Sequence, residues 1–326
     1  MDFFRTVVEP AKSENKISHG SPIMMLGSCF AENIGLKLKQ FKFDIDLNPF
    51  GITFNPLSIH EGLERIVSAQ LFTENEIFFH NDAWHSFMHH SQFSSQNKDA
   101  CLSQINERLK YSSNYIKSAQ FLILTFGTAW VFYQNNGENL VNNCHKLPNS
   151  QFKRGLLNVN EIVESYAKLF SVLKKLNPEL KIVLTISPVR HLANGAEDNQ
   201  VSKSILRLAA NELCKAGFAS YFPAYEIMLD DLRDYRFYSE DMVHPSTLAV
   251  DYIFKKFSEN YFSKETVTLN SDISSIANAY GHKLINSKSE KSKAFAAKTL
   301  ASIALLEQRA NLDFTVEKAY FLQILE

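Results

Sequence analysis

Residues 22–27 form an apolar run that ends on glycine, and the pattern then changes period, with Ile34, Leu36, Leu38 and Phe41 recurring among Lys and Gln at helical spacing over 31–41. This predicts strand, tight turn, helix. The runs QFLILTFG at 120–127 and KIVLTIS at 181–187 read as buried strands, whereas 159–176 and 201–216 carry helical periodicity and a further helix is expected over 246–257. Apolar strands alternating with amphipathic helices predict an α/β fold whose mainly parallel sheet is covered on both faces.

Insertions interrupt the alternation. Residues 129–141 predict a hairpin turning at Asn136-Gly137, and 72–93, rich in Phe and His, predict small strands or an ordered loop. Asn55-Pro56 begins a helix with an asparagine cap and proline in its first turn. After Phe262 the strand signal disappears, and AFAAKTLASIALLEQRA is strongly helical. The expected division is a domain over 1–262 with β insertions and a helical C-terminal extension over 263–326, the latter serving docking or self-association; the oligomeric state is left open.

Composition narrows the function classes. At 326 residues the chain can bury a large core. Its 34 Lys+Arg against 35 Asp+Glu give a net charge of −1 with no basic stripe, which disfavours nucleic acid and anionic membranes as partners. No apolar run approaches the roughly 20 residues of a membrane-spanning helix, and the amino terminus does not resemble a signal peptide, so a cytoplasmic location is expected. The four cysteines are scattered, consistent with reduced thiols. Phe, at 26, is in excess and suits either a packed interior or a substrate cleft.

Chemistry first shows at Gly27-Ser28-Cys29-Phe30. A serine between a strand and a helix lies at the carboxyl edge of a parallel sheet, where open α/β folds bind ligands, and free N–H groups of the helix start can support an oxyanion. The same position suits a plain helix cap. Downstream, Asp241 precedes His244 by three residues in SEDMVHPS. A serine needs a base, and the base needs a group to hold it, so Ser28, His244 and Asp241 together outline a nucleophile, base and orienting acid. Taken alone, Asp-x-x-His is common, and there is no G-x-S-x-G elbow.

The strings LGSCFAENIG (26–35), NPFGITFNP (48–56), FGTAWVF (126–132), NNCHK (142–146), SPVRH (187–191) and YFPAYEIMLDDLRDYRFYSEDMVHPS (221–246) resemble the GSCFA family, named for the residues at 27–31 here and a branch of the SGNH, or GDSL-like, hydrolase superfamily. The resemblance covers roughly residues 3 to 262. It implies a three-layer α/β/α flavodoxin-like sandwich and ester hydrolysis, often deacetylation of carbohydrates, with Ser28 as nucleophile, His244 as base and Asp241 as orienting acid. It also implies that Gly51 offers an oxyanion N–H beside that of Ser28. The superfamily's G-x-N-D segment corresponds to Gly127-Thr128-Ala129-Trp130, where Ala129 replaces the asparagine whose amide would complete the oxyanion hole. Thr128, Asn143 and His145 are the expected replacements, Asn143 preferred, although an asparagine there also suits a turn cap.

Asn48, Trp130, His145, Arg190 and His89 are the expected substrate-binding residues. Arg190 has the fork of donors that suits carboxylates, and it could equally pair with the acidic run at 226–234. His191 is a spare base without an aspartate of its own. The cluster His80, His85, His89 and His90, with Cys144-His145, raises zinc as a rival, but the spacings match no metal motif and no metal is expected. The resulting reading is a cofactor-independent serine esterase that works through an acyl-enzyme on an O-acylated carbohydrate. An acyltransferase using the same serine and a non-catalytic binding protein are the alternatives.

Overall fold

The computed structural model describes residues 6–135, 139–282, 286 and 289–326. Five parallel strands form the central sheet: β1 (Ile23–Gly27), β2 (Ile45–Leu47), β3 (Phe121–Phe126), β4 (Lys181–Ile186) and β5 (Ser220–Phe222). They lie in the order β2-β1-β3-β4-β5, in registers such as Gly27 beside Thr125 and Phe126 beside Ile186. This is the flavodoxin-like order, and its switch point lies between β1 and β3.

Six helices cover the sheet: α1 (Cys29–Gln40), α2 (Pro56–Ser68), α3 (Lys98–Tyr115), α4 (Val159–Leu176), α5 (Gly195–Lys215) and α6 (Thr247–Tyr261). Side chains alternate across a strand, so each run of apolar residues feeds two cores. Ile23, Met25, Phe121, Ile123 and Val183 pack under α1 and α6. Met24, Leu26, Leu122, Leu124 and Ile182 pack under α2 to α5. The fold is therefore a three-layer α/β/α sandwich.

Helix starts follow local capping chemistry. Asn55 accepts from the Ser58 N–H at 2.8 Å, and Asn158 with Glu161 forms a capping box that opens α4. Two antiparallel insertions decorate the sheet. Phe78–His80 pairs with Ala83–His85 through a turn in which Asn81 and Asp82 both have positive φ, as a tight hairpin requires. Trp130–Gln134 pairs on one side with Leu140–Val141, as the predicted hairpin demands, and on the other with Phe152–Leu156, a strand the sequence pattern does not show. The predicted turn at Asn136-Gly137 lies outside the described residues.

The C-terminal extension is helical: α7 (Lys264–Gly281), α8 (Glu290–Arg309) and α9 (Thr315–Leu325) close around Ile273, Ile303, Phe314 and Phe321. The bundle sits on the carboxyl end of α1. Phe41 packs into its core, and Lys42 pairs with Glu317 at 2.7 Å while lying over the Phe314 ring. Leu305 and Val316 remain exposed. Among the described residues no helix is long and apolar enough to cross a membrane.

Candidate active site

The strand-to-helix turn after β1 is built around a glycine. Gly27 has φ 153°, and a methyl group there would lie 2.5 Å from the Thr125 carbonyl on β3, so no other residue fits without displacement. Asn48, after β2, accepts from the Gly27 N–H at 2.9 Å and donates to Glu32 at 2.5 Å, while the Thr53 N–H donates to the Gly27 carbonyl at 3.0 Å. Both backbone polar groups of Gly27 are thus held by the β2 loop. Ser28 follows as the N-cap of α1: its Oγ accepts from the Phe30 N–H at 3.3 Å and donates to Ser187 Oγ, after β4, at 2.9 Å. Ser28 is 1% exposed.

The second half of the site is the turn before α6. Asp241 Oδ1 accepts from the N–H groups of Val243 and His244, at 2.9 and 3.0 Å, and Oδ2 accepts from the Nδ1–H of His244 at 2.7 Å. These bonds hold the Asp241 carboxyl down at about 2, the His244 N–H contributing most, then the imidazole, then the Val243 N–H. With Nδ1 occupied, Nε2 of His244 is left as the acceptor. The turn is docked on the loop that also holds Ser28: Arg190 N–H donates to the Val243 carbonyl at 3.0 Å, and Val189 N–H to Ser187 Oγ at 3.3 Å. The two turns, more than two hundred positions apart in sequence, are thereby both tied to the 187–190 loop. No hydrogen bond joins Ser28 to His244, because the serine hydroxyl points to Ser187.

Between these halves lie Gly127, His191 and Lys203. The Lys203 ammonium is fully buried and donates to the carbonyls of Gly127 and Ser187, at 2.6 and 2.7 Å, tying together the ends of β3 and β4. Burial lowers it to about 7, with Arg190 adding to the effect. A methyl group added at Gly127 would sit 3.2 Å from His191 Nε2 and 3.5 Å from Ser28 Cβ. That nitrogen is buried without a hydrogen-bond partner. Burial, then Lys203 and His244, lower the His191 imidazole to about 4, so it is neutral at neutral pH. Its backbone is fixed by Asn199, which accepts from the His191 N–H at 2.8 Å.

The sequence model of the GSCFA family matches residues 22–257. The chain belongs to the GSCFA family. No curated protein matches this GSCFA chain in sequence. Among solved structures, a carbohydrate esterase family 3 protein from Talaromyces cellulolyticus is 10% identical with a TM-score of 0.36, covering 77% of this chain and 99% of its own. An acetyl xylan esterase from the rumen bacterium Butyrivibrio proteoclasticus is 11% identical with a TM-score of 0.39, covering 76% and 64%.

Several residues expected to line the GSCFA site are engaged elsewhere. The Gly51 N–H donates to the Asn48 carbonyl at 2.8 Å and is not free for an oxyanion; its φ of 78° and its closeness to His90 explain the glycine. Thr128 Oγ bonds Ser202 Oγ at 3.1 Å and accepts from the Trp130 N–H. Asn143 takes the capping alternative, accepting from the His145 N–H at 2.9 Å, and its own N–H goes to the Phe87 carbonyl. It is the adjacent Asn142 that reaches the β2 loop, donating to Thr53 Oγ1 at 3.3 Å and the Met88 carbonyl at 3.2 Å. Ala129 packs in the core beneath the sheet.

The expected substrate-binding set divides in the same way. Asn48 is the buckle on Gly27. His89 is 1% exposed among Phe50, Phe72 and Phe93, sharing a hydrogen bond with Ser86, and is core. His145 bonds the Ser86 carbonyl at 2.8 Å and packs on His85. Among the described residues no three metal-ligating side chains converge. Trp130 is half-buried with Arg154 stacked on its ring. Arg190 forms no ion pair with the 226–234 run, whose Glu226, Asp230 and Asp234 pair with Arg207, Arg233 and Arg236. Its Nε is buried and unpartnered.

Ser187, Lys203 and His191 are what the sequence reading underweights. Lys203 carries a signal, since it shares the buried face of α5 with Leu206, Ala210 and Leu213 at helical spacing, where a lone lysine needs a partner. A concavity of about 480 Å³ lined by Asp230, Arg233, Phe237 and Tyr252 does not include Ser28, His191 or His244.

Proposed function

We propose that the chain is a serine hydrolase of the SGNH class that cleaves esters of small acyl groups through an acyl-enzyme, with O-acetylated carbohydrate as the first substrate class to test. The observation that carries this reading is the Asp241–His244 pair, at 2.7 Å, on the sheet edge that holds Ser28 at a helix start. The Ser28 hydroxyl turns from Ser187 to Nε2 of His244 and gives up its proton as Oγ bonds the substrate carbonyl carbon. Asp241 stabilises the imidazolium. The N–H groups of the first turn of α1 support the oxyanion. Collapse expels the alcohol, which takes the proton from His244, and water then cleaves the acyl-serine by the same steps. The burial of Ser28 favours an acyl group as small as acetyl.

The bond from Ser28 to Ser187 favours one other reading, a binding protein that keeps the fold without turnover. A fluorophosphonate probe and 4-nitrophenyl acetate separate them. The hydrolase reading expects probe labelling at Ser28 and ester cleavage that Ser28→Ala abolishes. Cleavage by Ser28→Ala at the wild-type rate, or an unlabelled and inactive wild type, removes it.

A further inference from the structure

We infer that His191 supplies, through Nε2–H, the oxyanion donor that the position of Ala129 lacks. The inference rests on the ester-hydrolase reading above. Four observations carry it. Ala129 is buried in the core and has no polar side chain to offer an oxyanion. The donors expected from sequence are drawn to other partners: the Gly51 N–H to the Asn48 carbonyl, Thr128 Oγ to Ser202 and the Trp130 N–H, His145 Nε2 to the Ser86 carbonyl, and the Asn143 side chain to its cap on the His145 N–H. His191 Nε2 is buried with no partner, which is costly unless something else fills the need. A carbon built on Gly127 would lie 3.2 Å from that nitrogen, 3.5 Å from Ser28 Cβ and 2.9 Å from the Phe54 carbonyl, so Gly127, which has no side chain, is where the nucleophile's carbon and the unpartnered nitrogen come close together.

The arrangement suits a donor and not a base. A base must hold a proton as imidazolium, and the groups whose charge acts against a proton on His191 are basic ones, Lys203 first and then His244, with Arg190 next to Lys203. Their field and the burial of the ring oppose a second proton. A neutral imidazole that carries its hydrogen on Nε2 donates as an amide would and is not drained by titration near neutral pH. His244, which has Asp241, takes the proton; His191, which has no carboxylate, steadies the negative oxygen. Lys203 contributes as a positioning residue by fixing the carbonyls of Gly127 and Ser187 on either side.

The test compares wild type, Ser28→Ala, His191→Ala, His191→Leu and His191→Gln on 4-nitrophenyl acetate, with thermal melts and kcat–pH profiles. Glutamine places an amide N–H near the position of Nε2, while alanine and leucine offer no donor and leucine preserves volume. Removing one oxyanion donor lowers kcat by roughly 10²–10³, so the donor-free variants should fall by that factor with KM little changed, and glutamine should regain at least about tenfold with the acid limb of the profile unmoved. A folded donor-free variant within threefold of wild type overturns the assignment, as does failure of glutamine to restore the rate. Loss of the acid limb in His191→Gln would make His191 the base and also overturn it. Absence of Ser28-dependent hydrolysis in wild type is a separate outcome, which removes the esterase reading and this inference with it.

Discussion

Asn48 gives the sharpest residue-scale expectation. Its side chain is the partner of the Gly27 N–H, so Asn48→Ala leaves a buried donor unsatisfied and should cost about 1–3 kcal/mol in urea denaturation while loosening the turn that carries Ser28. Asp241→Asn tests the orienting acid: kcat should drop by about 10²–10⁴ with little change in KM. The Asp241 carboxyl is ionised down to about 2, so its stabilising bonds exist above the ordinary carboxylate range and are lost only as pH falls through that value. An acid limb in the wild-type rate above pH 4 therefore belongs to another group. At this scale the helix cap at Ser28 and the Asp241–His244 turn were legible because caps and i, i+3 turns are local. The partners of Gly51, Thr128 and His191 were hidden because they lie on loops distant in sequence, and no spacing rule connects Gly127 to His191.

At the scale of elements, the unit formed by β1, its glycine and α1 is where backbone geometry is most demanding. Gly27→Ala should destabilise by about 1–3 kcal/mol or more, since the added carbon meets the β3 backbone, which cannot swing away as a flexible side chain can; a denaturation midpoint equal to wild type would contradict this. The long strands were legible because both faces of a parallel sheet are buried and their runs are continuously apolar. Helix α4 was legible from end to end because Asn158 and Glu161 mark its start. Helix α3 was not, because it buries only Cys101, Ile105, Leu109, Ser112 and Ser113, a stripe in which two of the five residues are serines. The edge strands 45–47 and 220–222 are too short to show a period. Strand 152–156, Phe-Lys-Arg-Gly-Leu, is mostly exposed and reads as loop.

For the whole molecule, buried imidazoles govern acid stability. Burial is the first cause that holds His89 down to about 3 and His145 to about 4. The unfolded chain takes up protons at these histidines below about pH 6.5 while the folded chain does not. Stability should be flat above that value and fall as pH drops toward 4, by up to about 1.4 kcal/mol per pH unit for each histidine. Urea midpoints between pH 7 and 5 read this before most carboxylates titrate, and His89→Gln should flatten the slope; an unchanged slope would refute it. The molecule also grips α1 at both ends, by Ser28 at the start and by Phe41 and Lys42 against the C-terminal bundle at the finish. The oxygen that would attack a carbonyl is the one that steadies the first turn. Once that oxygen is phosphonylated it becomes a poorer acceptor, so the opening turn should fray while the far end stays clamped. Deuterium uptake after labelling should quicken at Phe30 and remain slow at Leu38.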